Sequence, residues 1–175
     1  MTIPISTLKG LLFDWVETAT ELDNGQIIFA YQNRPEPSGP YFLINPVINI
    51  TRIGMDEENP ATGADLGKIE VVSRRYVSVS LHCFGTTALE LMSAVQDASN
   101  RPSIYLTFNA EGMGLQCGAV KDLSGLKGAR FEGRAQMDVR VSCGSSFIDD
   151  LGWFDTVSGT STINEIETEF TVQGD

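Results

Sequence analysis

The stretch Arg130-Phe131-Glu132-Gly133-Arg134-Ala135-Gln136-Met137-Asp138-Val139-Arg140-Val141 alternates in character along its length. Phe131, Ala135, Met137, Val139 and Val141 fall on one side, and Arg130, Glu132, Arg134, Gln136, Asp138 and Arg140 on the other. Successive side chains of a strand point to opposite faces, so this pattern predicts a strand with one dry face and one wet face. A dry sheet face has to be covered by another layer.

Working outward, the same period of two recurs from Ile69 to Phe84, where Ile69, Val71, Val77, Val79, Leu81 and Cys83 share a face, as one strand or two joined at a bend. It recurs again from Ile163 to Val172, with Ile166, Thr168, Phe170 and Val172 opposed to Glu165, Glu167 and Glu169. Shorter strands are predicted at Gln26 to Gln32, Tyr41 to Ile50 and Ser103 to Phe108. The covering layer comes from two segments with a period near 3.6. Leu8, Leu11, Leu12, Trp15, Ala19 and Leu22 make one stripe, with Ser6 as the expected N-cap and Asn24-Gly25 as the stop. Ala88, Leu91, Met92, Val95 and Ala98 make the other, between Thr87 and Ser99, with Thr87 and Glu90 at capping-box spacing and Pro102 marking the end.

The expected fold is α+β: a mixed or mostly antiparallel sheet with two main helices packed on one face. Residues 1–175 read as a single domain, interrupted by long loops at about 52–68 and 109–129, where glycine, proline and acidic residues collect.

Hydrophobic residues make up 42% of the 175, enough for a core, and the formal net charge is −11. That charge disfavours tight binding to phosphate backbones, which draws on clustered lysine and arginine. No apolar run is long enough to span a membrane, and Met1 to Gly10 lacks the layout of a signal peptide, so assembly in a cytoplasm is expected. Cys83, Cys117 and Cys143 are odd in number and widely spaced, which predicts free thiols.

Catalytic patterns are incomplete. His82 is the sole histidine, and its neighbour Cys83 must point to the opposite face of their strand, so the two cannot converge on a metal or form a nucleophile and base. Cys143-Gly144-Ser145-Ser146 lacks the frame of a nucleophile elbow and reads as a turn. Glu111-Gly112-Met113-Gly114-Leu115 completes no phosphate loop, and Asp56, Glu57 and Glu58 lack the alternating ligands of a calcium loop. A small hydrolase using His82 with a serine or cysteine is the enzymatic alternative. No metal and no cofactor is implied.

The charged strand faces allow two readings. Arg130, Arg134 and Arg140 on one strand, and Glu165, Glu167 and Glu169 on another, are either solvated faces or the two halves of a contact between copies of the chain. A head-to-tail contact of the second kind can close into a ring.

One segment is distinctive: Ala30-Tyr31-Gln32-Asn33-Arg34-Pro35-Glu36-Pro37, followed by Gly39-Pro40-Tyr41. It resembles the N-terminal signature of the phage neck terminator and tail terminator family. Arg134-Ala135-Gln136-Met137-Asp138-Val139 resembles that family's central strand, and Gly152-Trp153-Phe154-Asp155-Thr156-Val157 sits where the family has an acidic-to-apolar stretch before its last strand. Trp15 and Gly85 extend the likeness, while Trp153-Phe154 departs from it by standing where smaller residues are expected. The resemblance implies a structural virion protein, not an enzyme. It would form a hexameric ring at the neck, stop tail tube polymerisation and join the tail to the head-side connector or adaptor. Implied partners are further copies of the chain, the tail tube protein, with sheath as a further candidate, and the connector, with genomic DNA passing through. A tail tube protein or minor head-tail adaptor of the same particle is the alternative.

Overall fold

Residues 4–32, 35–60, 67–127, 130–152, 156–163 and 166–173 are described in a computed structural model. Helix α1 spans Ile5–Thr20 and buries Leu8, Leu11, Leu12, Trp15 and Val16, the stripe that the spacing predicts. Its ends differ from expectation. Pro4 occupies the N-cap, so Ser6 lies inside the first turn, and the helix stops at Glu21, whose φ of 55° is left-handed and whose N–H reaches Glu17 O. Asn24–Gln26 is then a short 3-10 turn closed by Asp23 and Gln26 rather than a helix terminus.

The strands are β1 (Ile27–Phe29), β2 (Tyr41–Arg52), β3 (Glu57–Pro60), β4 (Lys68–Phe84), β5 (Met113–Asp122), β6 (Gly125–Lys127), β7 (Arg130–Glu132), β8 (Arg134–Asp150), β9 (Thr156–Ile163) and β10 (Ile166–Gln173). The main sheet runs β1-β2-β4-β8-β5, with β3 also on β4. β1 is parallel to β2, while β2 with β4, β3 with β4, and β5 with β8 are antiparallel, giving the mixed sheet that was expected. β4 is one continuous strand. In β2 the register slips between Asn45 and Asn49, beside Pro46, which has no N–H to give to a ladder.

Helix α2 spans Ala88–Ala98; Thr87 holds its N-cap position but makes no side-chain cap. A third helix, α3 (Pro102–Ala110), replaces the strand expected at Ser103 to Phe108. Pro102 starts this helix rather than ending the previous one, as its fixed φ and missing N–H suit a first helical position. Its buried residues, Ile104 and Phe108, are four apart, a helical interval.

The region expected to loop from 109 to 129 contains β5 and β6, and the one from 52 to 68 contains β3. In β5 the glycines are close-approach positions rather than breakers. A Cβ on Gly118 would stand 2.6 Å from Asp138 O, and one on Gly114 2.5 Å from Ser142 Oγ, both on β8. Cys143 to Ser146, read as a turn, lies inside β8.

Two compact units are distinguished: Met1–Asp56 with Ser73–Ser145, and Glu57–Val72 with Ser146–Asp175. In the first, all three helices share a single core with alternate strand residues. Phe42 and Ile44, Val77, Val79, Leu81 and Cys83, and Ala135, Met137, Val139, Val141 and Cys143 point into it. The helices therefore cover one face of the sheet. In the second unit none of the described side chains is buried. It holds β3, the first residues of β4, the last of β8, and β9 with β10, which form a separate two-stranded sheet.

Candidate functional site

The sheet face away from the helices is where the polar half of the alternating pattern collects. Ser80, His82 and Phe84 of β4 meet Arg134, Gln136 and Asp138 of β8. The contacts descend β8 as they ascend β4, from Ser80 with Asp138 through His82 with Arg134 to Gly85 N–H donating to Gly133 O at 2.9 Å.

The direction of each proton in this chain is fixed by its ends. A guanidinium only donates, so Arg134 Nη2, 3.2 Å from His82 Nδ1, makes that nitrogen an acceptor. The imidazole proton therefore sits on Nε2, which donates to Ser80 Oγ at 3.2 Å. Ser80 in turn donates to Asp138 Oδ1 at 3.1 Å. Gln136 Nε2 braces both acceptors, at 3.2 Å from Ser80 Oγ and 3.1 Å from Asp138 Oδ1. Lys121 Nζ of β5 closes the end, 3.2 Å from Asp138 Oδ2.

Electrostatics agree with this polarity. Burial lowers the His82 pKa and the Arg134 cation lowers it further, against an opposing pull from Asp138, so the ring is neutral at pH 7. Burial pushes the Asp138 pKa up, but hydrogen bonds from Gln136, Lys121 and Ser80 outweigh it and hold the carboxyl below its ordinary value. A serine hydrolase needs an unprotonated imidazole nitrogen facing the hydroxyl and a carboxylate behind the ring. Here the ring proton faces the serine, the carboxylate sits on the serine, and a cation stands behind the ring. His82 and Ser80 are thus a structural relay, not a nucleophile and its base.

Cys83 points into the core, opposite His82, and burial pushes its thiol up to about 12. Cys117 and Cys143 are raised as well, burial being the main cause in both. Asp56 pairs with Arg52 at 2.7 Å, and Glu57 and Glu58 belong to β3. Gly112 makes a turn between α3 and β5, at φ 68°. Among the described residues no group of three histidine, cysteine or acidic side chains is arranged to hold a metal.

One end of this face is aromatic. Tyr41 and Phe84, register partners on β2 and β4, stack at 4.8 Å, and Arg134 lies 5.2 Å over Phe84. Tyr41 donates to Glu36 at 2.9 Å; burial first, then this carboxylate, raises its pKa well above the usual range. Glu36, Tyr41, Phe84, Phe131 and Glu132 line a groove of about 320 Å³. The relay and the groove were not legible as a constellation in the sequence. The available signal was the polar half of the alternation on two strands that turn out to be neighbours.

Of the six charged residues singled out from sequence, the three arginines do not share one strand. Arg130 belongs to β7, which pairs with β6 in a separate small sheet. The alternation from Arg130 to Val141 breaks at Gly133, where a Cβ would come 2.3 Å from Gly85 O. Arg134 is committed to His82 and Phe84, and its Nε is buried without a hydrogen-bond partner. Arg140 is exposed on β8 and Glu169 on β10. The backbone of Glu167 lies in β10, and Glu165 lies outside the described residues, as do Asn33, Arg34, Trp153, Phe154 and Asp155.

No curated protein matches the chain. The family described as phage neck terminator protein matches residues 6–174, nearly the full length, and the chain belongs to that family.

Proposed function

We propose that this chain forms a ring at the phage neck that ends tail tube polymerisation and joins the finished tail to the head-side connector. Family membership makes it a structural component of the virion that works among head and tail proteins. The ring, its hexameric copy number, and contacts with the tail tube protein, sheath and connector or adaptor are our reading. So are assembly in the host cytoplasm and the treatment of the whole chain as one assembling domain.

The observation that supports this reading is the match of the phage neck terminator family over residues 6–174. Arg140 and Glu169, both exposed, are available to a head-to-tail contact of opposite charges. The net charge of −11 suits a passage that DNA must traverse without being held.

Native mass spectrometry of the purified protein, with negative-stain imaging of tails, tests this. A closed ring capping tubes of uniform length is expected. A chain that stays monomeric even on tails overturns the reading, and long tubes built of this chain favour a tail tube role instead.

A further inference from the structure

The charges of α1 run against its dipole. A helix favours anions at its start and cations at its end, where carbonyls lack partners. In α1 the first turn holds no acidic residue and the last turn no basic one. Lys9, its one cation, lies toward the start, while Asp14, Glu17 and Glu21 gather toward the end. These three stand at i, i+3 and i+7, so they make a stripe of like charges on one flank, which weakens the helix further. Among the described residues none of the three carboxylates has a hydrogen-bond or ion-pair partner. Beside that stripe α1 and α3 leave a notch of about 180 Å³. Leu11, Trp15, Ile104 and Phe108, all buried, form its floor, and Asp14 and Thr107 stand exposed on its rim. Leu106, 56% exposed, adds apolar surface on the outer side of α3.

An apolar trough with carboxylates along one flank fits an amphipathic helix whose apolar side chains enter the trough and whose lysines or arginines reach the stripe. We infer that this trough between α1 and α3 docks a basic amphipathic segment of another head or tail protein. Charge decides against a second copy as occupant. Lys9 is the only cation on α1, α2 and α3, and the chain as a whole carries −11. Cations seated beside Glu17 and Glu21 relieve both the mutual repulsion of those carboxylates and their conflict with the helix dipole. The free chain is therefore less stable than a helix with those charges reversed, and docking offsets the difference. This inference takes from the functional reading only the presence of head and tail partners, and it is independent of the ring.

Trp15 lies on the trough floor, so its fluorescence reports an occupant. The test uses the full-length chain with Trp153→Phe, which leaves Trp15 as the sole indole. The probe is an acetylated, amidated peptide of leucine, alanine and lysine, with leucines at i, i+3, i+4 and i+7 and about fifteen residues long so that it can be helical. The peptide should shift Trp15 emission. Glu17→Lys with Glu21→Lys reverses the stripe, and Thr107→Phe fills the notch while leaving every charge in place; each should weaken binding roughly tenfold or more. Glu90→Lys with Asp97→Lys, an equal charge change on α2, should leave binding as it was. Circular dichroism checks the folding of each variant. The stripe variant should melt above the unaltered protein, since cations then face the helix end. Its native mass should be unchanged, while virions built with it should be roughly tenfold fewer. Equal weakening by the α2 pair, or undiminished binding to the Thr107→Phe chain, overturns docking in the trough. A stripe variant of lower native mass overturns the choice of partner in favour of a second copy, and an unchanged virion yield overturns the docking of a head or tail protein. Failure of the unaltered protein to form a ring would remove the ring reading and leave these binding results standing.

Discussion

Arg134 donates to His82 Nδ1 at 3.2 Å, and that bond decides the protonation of the molecule's single histidine. The His82 pKa lies below its ordinary 6.5, through burial and then the Arg134 cation. Below pH 6.5 the unfolded chain binds a proton that the folded chain refuses, so stability falls as pH drops and levels off once the folded pKa is passed. Denaturant midpoints between about pH 7.5 and pH 5 should therefore decline, and His82→Gln should flatten that decline. An identical slope in both proteins would refute the assignment.

Asp138 and Lys121 meet at 3.2 Å but are not equal partners. Asp138 also accepts from Ser80 and Gln136, so Asp138→Ala strands donors and should cost about 1–2 kcal/mol. Lys121→Ala removes only an exposed pair and should cost under about 1 kcal/mol. Urea unfolding of both variants measures the difference; equal losses would mean that the relay contributes no more than its surface ion pair.

Gly133 ends the pairing of β7 and lets β8 begin, with its carbonyl bound to Gly85 N–H at 2.9 Å. An alanine Cβ there would meet Gly85 backbone oxygen at 2.3 Å, whereas at Gly144 it would meet nothing within 4 Å. Gly133→Ala should destabilise by about 2–3 kcal/mol, as overpacking against backbone does. Gly144→Ala should stay within about 0.5 kcal/mol of the parent. Comparable melting temperatures for the two would contradict the close approach.

The same glycine explains which parts of the fold were legible. Alternation identified β4 and β8 and the face each buries, because a period of two survives whatever the strands pair with. Helical spacing identified α1 and α2 for the same reason. What escaped depended on partners distant in sequence. Gly114 and Gly118 read as loop residues until β8 is seen packed against them, and Gly133 as one more strand position until Gly85 is found beneath it. Ser103 to Phe108 is too short for periodicity to separate strand from helix, and Pro102 signals an end or a start with equal force. The relay needed the adjacency of β4 and β8. The arginines grouped as one face were divided by Gly133, which put Arg130 on a different ribbon.

Trp15 joins the first helix to the end of the second, and its replacement measures that joint. Its Nε1 donates to Val95 O at 3.1 Å, with Trp15 itself fully enclosed. Val95 lies in the last turn of α2, where carbonyls lack helical donors; Ser99 N–H turns instead to Gln96 O. The indole thus satisfies a buried carbonyl that the helix leaves open, while its ring meets Phe108 of α3 edge-on at 6.3 Å. Trp15→Phe keeps an aromatic ring but deprives Val95 of its donor and leaves a void, so a loss of about 2–4 kcal/mol is expected. Phe108→Leu loses the edge contact and some volume without stranding a polar group, and should cost less. A double-mutant cycle on the pair should show a positive coupling, because both side chains pack one seam between helices. Strict additivity would mean that Trp15 acts through its hydrogen bond alone.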